Sequence, residues 1–283
     1  MKRRTTAAKA LLLHGTIWVA IALTLYPVLW VVKMSLSKSQ AFGLSASLLP
    51  DEVTLSNYVD FLTATDSEGH WLFGWQLLNS VVVSAGTTLL GIFLSCTAAY
   101  AFSRFRFPGR RTGLLVFLVT QMFPGVMMAI PVYILLDALG LLENLFGLVL
   151  VYSITAIPFC VFMLKGYFDT IPRELEEAAI MDGASQFTLF WRIVLPLARP
   201  AIAVTALFSF MTAWNEFILA ATFMSEEIHF TLPVALQRYV GDYSTEWGRF
   251  AAGALLVSLP VVVLFFALQR YLVGGLTAGS VKG

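Results

Sequence analysis

Charge is what this sequence lacks. Of its 283 residues only 12% are charged, while 58% are hydrophobic and the mean hydropathy is +0.80. A soluble domain carries about 25% charged and about 45–50% apolar residues. Eighteen Lys and Arg with seventeen Asp and Glu cannot cover a water-soluble globule of this length. The same composition excludes disorder. Cysteine is scarce: Cys96 and Cys160 build no disulfide or metal framework and read as packing residues. The three histidines, His14, His70 and His229, share no ligand spacing. There is no short-period repeat and no low-complexity segment. The G-x4-G-K-[ST] loop is missing, so the chain has no cradle of its own for ATP phosphates. No paired carboxylates, nucleophile–base set or metal cluster sits in a plausible soluble site. The sequence therefore predicts a non-catalytic chain that binds no metal.

What is present is long apolar blocks. Six fall near 17–34, 77–102, 113–136, 145–164, 201–224 and 250–273. Each reaches or approaches the ~20 residues that cross about 30 Å as a helix. Strict alternation is absent, so an outer-membrane barrel is a poor reading. The prediction is an all-α, polytopic membrane protein with six transmembrane helices. Pro27, Pro124, Pro131, Pro158 and Pro260 lie in these blocks and read as kinks. Lys2, Arg3 and Arg4 before the first block resemble a secretory signal, but no convincing cleavage site follows, so an uncleaved first span is expected.

Basic residues set the orientation. With six spans and cytoplasmic N and C termini, fourteen of the eighteen Lys and Arg fall inside, leaving Lys33, Lys38, Arg238 and Arg249 outside. That asymmetry follows the positive-inside rule. Trp71, Trp75 and Trp247 stand just before spans two and six, where an interfacial aromatic belt belongs. Two outer stretches remain: 35–76, with a short helix expected within 48–62, and 225–249.

The inner stretch 166–200 is too polar to span and too regular to be a slack linker. Pro172 can open a helix over 173–181, with Glu174, Glu176 and Glu177 at the positive end of its dipole. Gly183 can take the left-handed conformation that ends it. Ser185 can cap a second helix, along which Phe187, Phe190, Trp191 and Val194 recur near helical spacing, and Leu195-Pro196 should stop it. The small Ala178 and Ala179 admit close approach of another surface. An interfacial helix on lipid would be Lys/Arg-rich; this acidic arm suits a protein partner with basic residues.

Glu177-Ala178-Ala179, then Gly183 (between Asp182 and Ala184), then Ile193-x-Leu195-Pro196 place seven specified positions over twenty residues. That spacing resembles the EAA-x3-G-x9-I-x-L-P loop of bacterial ABC importer permeases. Gln121-Met122-Phe123-Pro124, the stretch 98–109 and the terminal LVGGLTAGSVKG are similar to the smaller permease subunit of the maltose/maltodextrin transporter. The resemblance covers nearly the whole chain. It implies the type I ABC importer permease fold, as one domain over 1–283 with a core at 77–273, a coupling loop at 166–200 and a tail at 274–283. It further implies that this loop docks on a cytoplasmic ATPase dimer, which would hold ATP and Mg. By the same resemblance Gly275, Leu276, Thr277, Ala278, Gly279 and Lys282 form an extended tail at the ATPase interface. It places Thr231, Leu232, Pro233, Gln237 and Tyr239 in a loop expected to reach the extracytoplasmic sugar-binding protein. It also implies a second, larger permease subunit completing the pathway in a bacterial inner membrane, with membrane lipid around it and no nucleic acid partner. Maltose is the first substrate this implies; another oligosaccharide or a polyol phosphate is the alternative.

Glu216 is the one acidic residue inside a block, beside Asn215. A charge at mid-helix costs about 2.5–3.5 kcal/mol on insertion scales, so Glu216 is expected to line a cavity or pair with the second permease. A rival reading makes it the coupling group of an ion-driven secondary transporter. That reading requires similar halves, which are not visible, and gives no reason for the inner loop.

Overall fold

A computed structural model of the chain describes residues 7–41, 47, 49–241 and 245–278. Among these residues the secondary structure is helical, with two isolated bridges, Ser37 to Val53 and Val240 to Thr245, and no strand. The chain divides into two compact units, Met1–Thr65 with Leu236–Ser258, and Asp66–Ala235 with Leu259–Gly283.

In the first unit, helix α1 (Ala7–Ser35) presents Leu11, Leu12, Trp18 and Leu23 exposed. The expected short helix after it is α2 (Ser56–Leu62). Buried Asn57 fastens this stretch, donating to the Ser35 and Ser37 carbonyls at 3.0 and 2.8 Å and accepting from Gln40 Nε2 at 2.8 Å. Arg249 bridges Asp60 (2.8 Å) and Glu246 (2.8 Å). Gly253 is required by close approach: a Cβ there would lie 2.5 Å from Phe61 and 2.6 Å from Leu236.

In the second unit, helix α3 (Leu72–Arg104) is the axle. Its buried face is small and polar: Ser80, Ser84, Thr87, Gly91 and Ser95 recur at helical spacing. Small side chains let helix backbones approach closely, the basis of packing where lipid removes the hydrophobic drive. Helix α4 (Arg110–Thr120) and helix α5 (Ala129–Ala138) follow, then α6 (Leu145–Phe168), which packs along α3. The block at 113–136 is therefore not one straight span. It breaks at Gln121–Pro124, and its halves meet at 94°. Pro124 has no N–H and disfavours helix at Phe123, while the Gln121 and Met122 amides at the break bond back to the Leu118 and Val119 carbonyls.

After α6 come helix α7 (Glu174–Met181), the three-residue α8 (Gln186–Thr188), a π-helical turn over Leu189–Val194, α9 (Leu195–Leu197) and α10 (Arg199–Trp214). The block at 201–224 is also broken: α10 ends at Trp214, and α11 (Ile218–Phe223) starts after Asn215–Phe217. Beyond it lie α12 (Leu232–Leu236) and α13 (Trp247–Ala278). By length and composition α1, α3, α6 and α13 can each cross a membrane, giving up to six spans if two bent pairs, Arg110–Thr120 with Gly125–Ala138 and Gln186–Leu197 with Arg199–Trp214 (78°), each count as one.

Candidate functional site

The end of α3 carries Tyr100, Ser103 and Arg104, which the sequence reading did not single out as a set. Arg104 Nε lies 2.6 Å from Glu176 Oε1 of α7, and its Nη2 donates to the Ile171 carbonyl at 3.0 Å. Tyr100 OH donates to Glu176 Oε2 at 3.2 Å. Ser103 Oγ donates to Asp169 Oδ1 at 2.6 Å, and Lys165 Nζ to Asp169 Oδ2 at 2.5 Å. Partial burial raises the Asp169 proton affinity, but the Lys165 ammonium and the Ser103 hydroxyl outweigh it and hold the carboxyl below its ordinary value. Tyr100 and Arg104, one helical turn apart, were the available signal: a phenol and a guanidinium on one face at the end of an apolar run.

This network fastens an elbow. Its first arm, α7, falls where Pro172 and the acidic run place it. Gly183 has φ +84°, the left-handed conformation expected there. Ser185 Oγ accepts from the Thr188 amide at 3.3 Å and caps the second arm. That arm does not stop at Leu195-Pro196 as the sequence suggested. It runs helically to Leu197, and Leu195 N–H donates five residues back to Phe190. Pro196 has no N–H to continue a regular ladder and crowds the carbonyl four residues back; the wider π turn accommodates both. The aromatic residues split between two faces. Phe190 and Val194 are buried, with Phe190 5.0 Å from the Tyr100 ring, whereas Phe187 and Trp191 are exposed.

The same split sorts the expected docking residues. Glu176 is buried, and Glu177, Ala178, Asp182 and Gly183 are exposed. Ala179, Ala184, Ile193, Leu195 and Pro196 are half-buried. Met181 is 87% exposed and Phe187 72%, so an acidic edge borders a bare apolar patch on the elbow's outer side.

The other expected residues are placed elsewhere. Thr231 and Leu232 are buried rather than extended outward, and Leu232 N–H donates to Ser80 Oγ at 2.7 Å. Pro233 is the second residue of α12, where its missing N–H is harmless. Gln237 is exposed, and Tyr239 packs its ring 5.6 Å from Phe61. Gly275, Leu276, Thr277 and Ala278 are not an extended tail: their backbone continues α13, each residue adding one hydrogen bond to a helix already nucleated. Gly279 and Lys282 lie outside the described residues.

Glu216 finds its partners within this chain. Tyr152 OH donates to its Oε2 at 2.5 Å, and the Leu219 and Ala220 amides donate to its carboxylate at 2.9 and 3.1 Å. The carboxylate thus caps α11 where the span is broken. Asn215 is exposed and donates to the Met211 carbonyl at 2.8 Å. Among the described residues no group of three or more His, Cys, Asp or Glu is arranged to hold a metal.

Residues 88–277 match the family described as binding-protein-dependent transport system inner membrane component. The chain is 38% identical over 283 residues to the maltose/maltodextrin transport system permease protein of Vibrio vulnificus (strain YJ016), with 95% of each covered. It is 38% identical over 259 residues to the galactooligosaccharides transport system permease protein of Bacillus subtilis (strain 168), covering 91% of this chain and 90% of that one. In fold it is similar to a chain of a bacterial ABC transporter involved in the import of the acidic polysaccharide alginate. The TM-score is 0.77 at 24% identity, covering 96% of this chain and 99% of that one. The chain belongs to the binding-protein-dependent transport system inner membrane components, as a carbohydrate ABC permease.

Proposed function

We propose that this chain is one of two membrane-spanning subunits of an ATP-driven sugar importer of the bacterial inner membrane, and that the elbow 174–197 couples it to the ATPase. One observation carries the reading. The elbow's inner side is fastened to α3 through Arg104 and Glu176, while Glu177, Ala178, Asp182 and Gly183 face outward beside Met181 and Phe187. A surface held so firmly on one side and bare on the other passes displacement to the helix behind it. Closure of two ATPase subunits around ATP and Mg would push the elbow, and α3 with α6 would turn the pathway toward the outer sugar-binding protein.

Six spans with both termini inside agree with fourteen of eighteen basic residues on the elbow's side. The substrate we favour is maltose or a maltodextrin, on the likeness to the maltose/maltodextrin permease. The equal likeness to the galactooligosaccharides permease makes another oligosaccharide the second reading. The test is reconstitution with the ATPase, the larger permease and the binding protein. Sugar-loaded binding protein should stimulate ATP hydrolysis, and Glu177→Lys should abolish that stimulation while the complex still assembles. Unchanged stimulation would remove the docking assignment. Ligand profiling of the binding protein decides the sugar.

A further inference from the structure

Between α3, the elbow's second arm and α10 lies an apolar groove of about 370 Å³. Leu89, Ile92 and Phe93 of α3 line one wall, Ile202 and Ala206 of α10 the other, and Trp191 closes one end. Leu89 is 73% and Phe93 55% exposed. Helix–helix seams in membranes favour small side chains that let backbones meet, and these bulky exposed chains form a trough instead. A flexible acyl chain fills such a shape. The stretch of α3 along the groove, Thr88 to Cys96, is about 12 Å long at about 1.5 Å per residue, enough for the upper part of one chain.

Two arginines stand beside the groove's lining residues in the sequence. Arg199 stands three residues before Ile202 and seven before Ala206, so helical spacing puts it on the groove-lining face of α10. Arg192 follows Trp191 directly. Both arginines are exposed, and among the described residues no ion pair or side-chain hydrogen bond engages either. Arg104, by contrast, is held by a carboxylate. Two unengaged guanidiniums, one next to the groove's tryptophan in sequence and one on the groove-lining face of α10, match a phosphate at the headgroup level with its tail running inward.

We propose that this groove is a binding site for one anionic phospholipid of the leaflet on the elbow's side. Its phosphate is held by Arg199 and Arg192, and one acyl chain lies against Leu89, Phe93 and Ala206. Because Trp191 belongs to the elbow and Leu89 to α3, the lipid fills the joint that the elbow works against.

The experiment counts lipid on the full chain, reconstituted with equal phosphatidylglycerol and phosphatidylethanolamine, extracted in mild detergent and weighed by native mass spectrometry. The wild-type chain should keep one phospholipid, with phosphatidylglycerol favoured several-fold. Arg192→Gln/Arg199→Gln should abolish the preference, and Ala206→Phe should expel the lipid with both arginines intact. Ala206→Leu replaces it if the larger side chain prevents folding. No retained lipid on the wild type, or an unchanged preference in the double variant, overturns the proposal. So does a high-yield cross-link from Leu89→Cys into the second permease subunit, which would make the groove a protein seam. The count needs neither ATP nor sugar, so it stands or fails apart from the importer reading.

Discussion

Arg104 and Glu176 form a buried ion pair across 72 residues of chain: Nε to Oε1 is 2.6 Å, with the side chains 8% and 10% exposed. Such a pair holds only when the remaining polar atoms are also engaged. They are, through Tyr100 on the second carboxylate oxygen and the Ile171 carbonyl on the guanidinium. The pair is therefore a strut between the long axle and the elbow.

Removing one member leaves the other charge buried and alone, which costs roughly 3–5 kcal/mol. Arg104→Gln should lower the melting temperature in detergent and disconnect ATP hydrolysis from sugar transport. Arg104→Glu with Glu176→Arg should recover part of both. A single variant that keeps its Tm and its coupling ratio would show that the strut transmits nothing.

Gly183 has open space where a Cβ would stand, but its φ of +84° does not suit other L-residues. The penalty for Gly183→Ala is therefore conformational, about 1–2 kcal/mol. Gly183→Asn should lose less, because Asn tolerates the left-handed region. Thermal denaturation of the two variants checks the order; equal losses would point to a steric or docking cause.

Ahead of α3, His70 Nδ1 lies 2.8 Å from Asp66 Oδ2. The hydrogen bond to Asp66, and then its charge, raise the His70 pKa above the ordinary value. A raised histidine pKa means the contact contributes fully below the unfolded value and is lost as pH rises through the folded one. With three histidines in the chain, NMR titration of histidine-labelled protein can follow it. The His70 midpoint should exceed about 6.5 and fall back in Asp66→Asn. A midpoint unaffected by that substitution would refute the pairing.

Much of the elbow was legible because its signals are local. Pro172, the acidic run, Gly183 and Ser185 each act within a few residues, and each does so in the structure. The inward choice of Glu176 over Glu177 was not legible, because a two-turn helix is oriented by its partner, and Arg104 is far away in sequence. The spans were legible as apolar blocks but not as broken ones. Hydropathy reports length, whereas the break at Gln121–Pro124 comes from a missing amide and the break at Asn215–Phe217 from a carboxylate capping the next helix. For Gly275 to Ala278 the resemblance implied an extended tail, yet the helix before them carries on through Ala278.

Glu216 separates an ATP-driven permease from an ion-driven carrier. Its carboxylate is engaged by Tyr152 and two amides, which makes it a cap at a broken span. Hydrogen bonds to a charged group contribute about 1.5–3 kcal/mol each. Glu216→Ala should therefore destabilise the chain clearly, and Tyr152→Phe should cost less, since it removes one of the three bonds. Glu216→Gln keeps an acceptor oxygen and should keep most of the fold. In proteoliposomes with ATP inside and no ion gradient, Glu216→Gln should still accumulate sugar. An ion-coupled carrier predicts the reverse: a folded variant with no uptake, and a wild-type chain that stalls when the gradient is dissipated. Uptake that follows the gradient rather than ATP would return Glu216 to the centre of the mechanism.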